Sequence, residues 1–355
     1  MKKISTLLPI ILCFCMLVGC VGTPVIYHSD CDCPSDSANN NADAPIVTGE
    51  LKTGIAITTG IDESKYATSD KNGEGKYDVT MVAVLVDNDG IIRDCIIDGI
   101  ATSVKFDAAG QITTDLTVVP KTKNELGDKY GMVAYGGAKA EWYKQADALA
   151  KYAIGKTVKQ LRDGAVDETG KAPAGSDLAS SATIYLGGYV SAIEKAVANA
   201  TTLGANGGDS LHMATEAAIK GSKSATASEA GTAQLEATVA VMTMKDGKIT
   251  SCVIDAVQAK IGFDATGKIT SDLNAAPKTK NELGDKYGMV AYGGAIAEWY
   301  KQAASFARYI TGKTPEQVAN IAVNERTVPT EADLTSSVTI AIGDFKTLIG
   351  KAAAK

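Results

Sequence analysis

The stretch PKTKNELGDKYGMVAYGGA runs from Pro120 to Ala138 and recurs letter for letter from Pro277 to Ala295, with AEWYKQA one residue further on in both places. Working outward, Phe106-Asp107-Ala108-Ala109-Gly110 answers Phe263-Asp264-Ala265-Thr266-Gly267, and Cys95-Ile96-Ile97-Asp98 answers Cys252-Val253-Ile254-Asp255. The register holds well beyond the identical block, which marks a duplicated domain. A period of more than 150 residues is too long for a solenoid repeat, so each copy is expected to fold around a core of its own. The glycine-rich stretch from Thr201 to Asp209 reads as the joint, giving one domain over 49–200 and a second over 201–355.

Within each copy the hydrophobic period changes halfway. Tyr77 to Val86 alternates like a half-buried strand, Asp87-Asn88-Asp89-Gly90 supplies a turn, and a second strand follows from Ile91 to Ile100. The other copy repeats this with Ala237 to Met244, the turn Lys245-Asp246-Gly247, and Lys248 to Val257, so each is predicted to hold an antiparallel hairpin. Past the identical block, Ala140 to Ile154 puts Trp142, Ala146, Leu149 and Ala153 on one helical face, with Gly155 as its stop, and the twin runs from Ala297 to Ile310. A last stripe closes each copy: Leu186, Tyr189, Ile193 and Val197 in the first, Ile342, Phe345 and Ile349 in the second. The predicted class is α+β, an antiparallel sheet followed by packed helices in each copy.

Residues 1–20 read as an export signal, with Lys2 and Lys3 as the positive start and Ile4 to Val18 as an apolar run too short to span a membrane. The signal ends in Leu17-Val18-Gly19-Cys20, which resembles the bacterial lipoprotein box, so cleavage before Cys20 and a lipid on its thiol are expected. Residues 21–48 are polar and poor in large apolar side chains, the composition of a tether. A net charge of −6 without a basic run argues against nucleic acid and against polybasic docking to anionic lipid. Membrane contact is then expected through the lipid alone, on the extracytoplasmic face.

Of the seven cysteines, Cys13 and Cys15 leave with the signal and Cys20 takes the lipid, which leaves Cys31, Cys33, Cys95 and Cys252. No C-x-x-C-H occurs, so c-type haem is excluded, and with only His28 and His212 there is no zinc or iron–sulfur spacing. No metal site is expected. Cys31-Asp32-Cys33 is open between a redox pair, a metal hook and inert tail thiols, whereas Cys95 and Cys252, at matching places on apolar strands, read as small buried hydrophobes. The chain has no Ser-His-Asp set, no convincing acid and base pair and no P-loop, which points away from an enzyme.

Before the last stripe stand Asp177-Leu178-Ala179-Ser180-Ser181-Ala182-Thr183 and Asp333-Leu334-Thr335-Ser336-Ser337-Val338-Thr339. By spacing alone these are helix N-caps, since Ser and Thr ahead of an apolar-periodic run satisfy open backbone N–H groups. The segments also resemble the acceptor site D-x-x-[ST]-[GS]-A-[ST] of FMN-binding domains in the NQR and RNF complexes. In that family an ApbE-type flavin transferase uses FAD and magnesium to place FMN on the last hydroxyl. The resemblance implies Thr183 and Thr339 as acceptors, flanked by Asp177, Ser180, Ser181, Ala182, Asp333, Ser336, Ser337 and Val338, and two covalent FMN groups per chain. Ser181 and Ser337 stand where the family usually has glycine, and Val338 stands where it has alanine. A phosphoester there is expected to sit at a helix N-terminus, where N–H groups favour an anion.

The whole chain is similar to the extracellular electron-transfer lipoproteins of Gram-positive bacteria, which carry two such domains in tandem. That resemblance implies a carrier fed by a membrane quinone and NADH dehydrogenase pathway, passing electrons to outside acceptors such as ferric iron or a soluble flavin. The protein supplies holding, spacing and shielding while the flavin supplies the redox chemistry. Trp142, Trp299, Tyr135 and Tyr292 are open between lining a flavin ring and packing, with core packing preferred for the tryptophans; none is counted as a site residue. The competing expectation is a solute-binding or adhesive surface lipoprotein without cofactor, and a third is a flavin reductase that would turn over NADH by itself.

Overall fold

The computed structural model describes residues 49–354, so the signal, Cys20, the tether, His28, Cys31 and Cys33 lie outside the described residues. The first half opens with strands β1 (Glu50–Gly60), β2 (Gly73–Val86) and β3 (Ile92–Phe106). Helices follow: α1 (Lys123–Leu126), a 3-10 turn over Gly127–Tyr130, α2 (Met132–Gly136), α3 (Trp142–Ala153), α4 (Val158–Ala165), α5 (Asp177–Ser181) and α6 (Gly187–Ala198). After β4 (Thr201–Asn206) the order recurs with β5 (Ser210–Ala218), β6 (Gly231–Lys245) and β7 (Lys248–Phe263). Then come α7 (Lys280–Leu283), a 3-10 turn over Gly284–Tyr287, α8 (Met289–Gly293), α9 (Trp299–Ile310), α10 (Pro315–Ala319), α11 (Ala332–Thr335) and α12 (Gly343–Ala353). The class is α+β, with antiparallel sheets ordered β3-β2-β1-β4 and β5-β6-β7.

Both predicted hairpins form, and each strand is longer than its apolar run because cross-strand pairing carries on to Gly73↔Phe106 and Gly231↔Phe263. The central strand is not half-buried. Met81 to Val86 are all buried, and successive side chains alternate between two cores: Met81, Ala83 and Leu85 join one cluster, Val82, Val84 and Val86 another. A run of six apolar residues without polar alternation is what a strand covered on both faces requires. In β6, Val239 and Val241 face the first cluster while Ala240 and Met242 face a third, under α9 and α12. The order of layers is therefore helices, sheet, sheet, helices.

The core between the sheets is shared by the two halves. Phe106 and Phe263 stack at its end with ring centroids 3.9 Å apart and planes 3° from parallel. The Thr53 and Ser251 hydroxyls bond at 2.7 Å, and reciprocal backbone bonds join Ala67 N–H to Gly267 O and Ala225 N–H to Gly110 O, each 2.8 Å long. The two clusters under the helices are each confined to one half, as a core for each copy would be, but residues 46–355 form one unit.

The stretch read as a joint is a strand. β4 pairs with β1 from Glu50 to Thr53 and stops there, leaving the β1 edge open. Lys195 Nζ on α6 donates to Ile57 O at 2.9 Å and Asn199 to Ile55 O at 3.1 Å, so side chains close that edge. Lys351 on α12 does the same at Thr215 O of β5 (2.7 Å). Each lysine also reaches the other half, Lys195 to Glu282 and Lys351 to Glu125. At Gly54 a Cβ would sit 2.1 Å from Ala196 O, so the glycine lets α6 lie directly on β1.

Candidate functional site

The first turn of α3 organises the site. Glu141 caps that helix with its backbone and turns its buried carboxylate onto the N–H groups of Met132 (2.9 Å) and Val133 (3.0 Å), which fixes the start of α2. One turn on, Gln145 is 1% exposed and works in the other direction. Its Oε1 accepts from Thr183 N–H (2.7 Å), Ile184 N–H (3.1 Å) and the Thr183 hydroxyl (3.2 Å), while its Nε2 donates to Ala140 O at 2.8 Å. With both its oxygen and its nitrogen bonded, the buried amide is largely satisfied, whereas each backbone donor left open would cost about 1–3 kcal/mol, so Gln145 pins the Thr183 backbone firmly.

Lys123 braces the same region from below. Its Nζ bonds Asp78 on β2 at 3.2 Å and lies 4.9 Å from the Trp142 ring centroid and 5.5 Å from that of Tyr130. Burial works against its charge, but Tyr189, Asp78 and Tyr130 outweigh burial and hold its pKa above the ordinary lysine value. The Trp142 N–H donates to Tyr189 OH at 2.9 Å, which puts Trp142 in the core, as its helical position predicts.

The acceptor-like segment is itself a short helix. Ser176 caps α5 by accepting from Ala179 N–H at 3.2 Å, Asp177 opens the helix, and Leu178 and Ala182 anchor it in the core. Ser180, Ser181 and Thr183 are exposed, with the Ser180 hydroxyl turned back onto Asp177 O. The N-cap expectation for Thr183 is therefore corrected. Its N–H and hydroxyl bond Gln145, the residue capping α6 is Leu186 with no side-chain bond, and the helix begins only at Gly187. A phosphoester on Thr183 would accordingly lie on the loop between α5 and α6. Ala182 faces inward because its N–H is still bonded to Leu178 O, and the next residue is turned out to solvent.

The second half reproduces this geometry. Gln302 Oε1 accepts from Thr339 N–H (2.7 Å), its hydroxyl (3.3 Å) and Ile340 N–H (3.2 Å), and Gln302 Nε2 donates to Ala297 O (2.7 Å). Glu298 holds Met289 and Val290 N–H, both at 2.9 Å. Asp333 lies in the first turn of α11, Ser336 and Thr339 are exposed, and Ser337 bonds Leu334 O. Val338 is fully buried, in the core beneath the helices, so its departure from alanine fills interior space and does not crowd the Thr339 hydroxyl.

Gln145, Gln302, Glu141 and Glu298 were not singled out from sequence. Their signal was available: polar residues in the identical AEWYKQA, one of them beside Ala146 on the buried face. Cys95 and Cys252 are buried free thiols on the helix-facing side of β3 and β7, and burial pushes Cys252 up to about 12. No group of three metal-ligating side chains occurs among the described residues, and no described helix is long and apolar enough to cross a membrane. Clefts of about 510 and 580 Å³ lie between the halves, one lined by Val118, Val119, Ala217 and Ile219, the other by Ile96, Asn124, Leu211 and His212; neither is lined by Thr183 or Thr339. Thr183 and Thr339 are exposed residues whose backbone and hydroxyl are both held by a buried glutamine. No family model matches the chain, and no curated protein or solved structure matches it.

Proposed function

We propose that this chain is a lipid-anchored, extracytoplasmic electron carrier built from two copies of an FMN-binding domain, with covalent FMN on Thr183 and Thr339. The observation that carries this reading is the paired setting of the two threonines: in each half an exposed threonine, at the same place in the repeat, whose backbone is pinned by a buried glutamine. Attachment is a displacement at phosphorus by an ApbE-type transferase. The threonine oxygen attacks the FMN-side phosphate of FAD, the pyrophosphate bond breaks, AMP leaves with magnesium, and the hydroxyl proton passes to a base of the transferase. Bound flavin supplies reversible electron transfer; the chain holds it outside the membrane, where a dissociated flavin would be diluted. Cys20 supplies the anchor, a membrane quinone pathway the electrons, and ferric iron or soluble flavin the outlet.

The experiment is intact mass on protein made with an active transferase and magnesium. Two FMN additions are expected in the wild type, one in Thr183→Ala or Thr339→Ala, and none in the double variant. An unmodified wild type would sink the proposal. It would favour the second reading, a cofactor-free solute-binding or adhesive lipoprotein, for which the apolar-lined cleft between the halves is the supporting feature.

A further inference from the structure

Tyr135 and Tyr292 are each 92% exposed, on short helices bounded at both ends by glycines with positive φ. Each presents its whole ring to the surface, where an aromatic face is available for stacking. Each is also held in place. Gly131 (φ 83°) leaves room for the tyrosine, since a Cβ there would lie 2.6 Å from the Tyr135 ring, and Gly288 stands in the same relation to Tyr292. The Glu141 and Glu298 carboxylates fix the other face of each turn.

The two tyrosines lie within the block repeated letter for letter in both halves. Core positions have drifted between the copies, with Leu149 against Phe306, Ala182 against Val338 and Tyr189 against Phe345, all packed beneath helices. The run Val133-Ala134-Tyr135-Gly136-Gly137 is exposed throughout and identical to Val290-Ala291-Tyr292-Gly293-Gly294. Both halves thus present the same exposed tyrosine on the same glycine-bounded turn. The turn and the threonine are held from one helix. Glu141, which holds the tyrosine turn, and Gln145, which holds Thr183, are four residues apart on α3, about 6 Å along the helix axis.

We infer that Tyr135 and Tyr292 are the positioning residues for the isoalloxazine rings of flavins attached at Thr183 and Thr339, each ring lying against the tyrosine of its own half. The inference rests on the attachment proposed above. An offset-stacked or edge contact with the phenol would shield one face of the ring and leave the other open to a redox partner. It would also quench flavin fluorescence, because a phenol in van der Waals contact donates an electron to excited flavin.

The test uses the full chain carrying Thr339→Ala, so that only Thr183 is loaded, with fluorescence and visible circular dichroism expressed per flavin counted by intact mass. Tyr135→Ala is expected to raise fluorescence several-fold and to collapse the visible dichroism. Tyr135→Phe is expected to raise fluorescence yet keep the dichroism, since Phe stacks without donating. Tyr292→Ala, in the half without flavin, should change neither. Loaded Tyr135→Ala with the fluorescence and dichroism of its parent, or an equal response to Tyr292→Ala, would overturn the inference and leave the attachment standing. Absence of FMN from the Thr339→Ala parent would overturn both.

Discussion

Asp255 shows how a single buried group ties this fold to pH. Its carboxylate accepts from Ala256 N–H at 2.7 Å and Asn281 N–H at 3.0 Å, joining β7 to α7. Burial dominates over those bonds and over the Thr279 side chain, and lifts its pKa to about 6. That value is above the unfolded one, so folding favours the protonated acid. The stabilisation is complete below about pH 4 and is lost as pH rises through 6. Asp255→Asn, which stays neutral, should therefore match the wild type near pH 4 and exceed it by roughly 2–3 kcal/mol at pH 7 in urea unfolding. A difference that does not vary with pH would contradict the assignment. Nothing in the local sequence announced this group, because its burial is created by α7, which lies within the identical block more than twenty residues further along the chain.

At the scale of elements, the link from α3 to the segment carrying Thr183 is one side chain long. Gln145→Leu fills the same space but leaves Thr183 and Ile184 N–H without their acceptor. A loss of about 2–3 kcal/mol in urea unfolding is expected, together with reduced FMN mass at Thr183 and full occupancy at Thr339. Equal loss at both sites would mean that the pinning is not local. The long elements were legible in the sequence because hairpins and amphipathic helices write their period into consecutive residues, as in Tyr77 to Val86 and Trp142 to Ala153. Shorter pieces were not. β4 pairs over only a few residues with a strand far away in sequence, and α5 depends on Leu178 and Ala182 finding a core built by other elements. The motif itself could be read, but the loop geometry of Thr183 could not, since its partner Gln145 is distant in the chain.

Over the whole molecule, the repeat was read as two units each with a core of its own, and the core shared between the sheets was hidden, because an apolar strand does not disclose what lies across its second face. That shared core should make unfolding cooperative. Phe106→Ala removes half of the Phe106–Phe263 stack and is expected to cost about 3–5 kcal/mol while circular dichroism and tryptophan fluorescence, which reports Trp142 and Trp299 in both halves, still melt together. Two separate transitions would mean that the halves are independent domains. The layer order has a further consequence. Ala182 and Val338, next to the two acceptor candidates, belong to opposite outer layers, with both sheets between them. A chain loaded at both threonines would therefore present its two groups on opposite flanks, each toward its own neighbour.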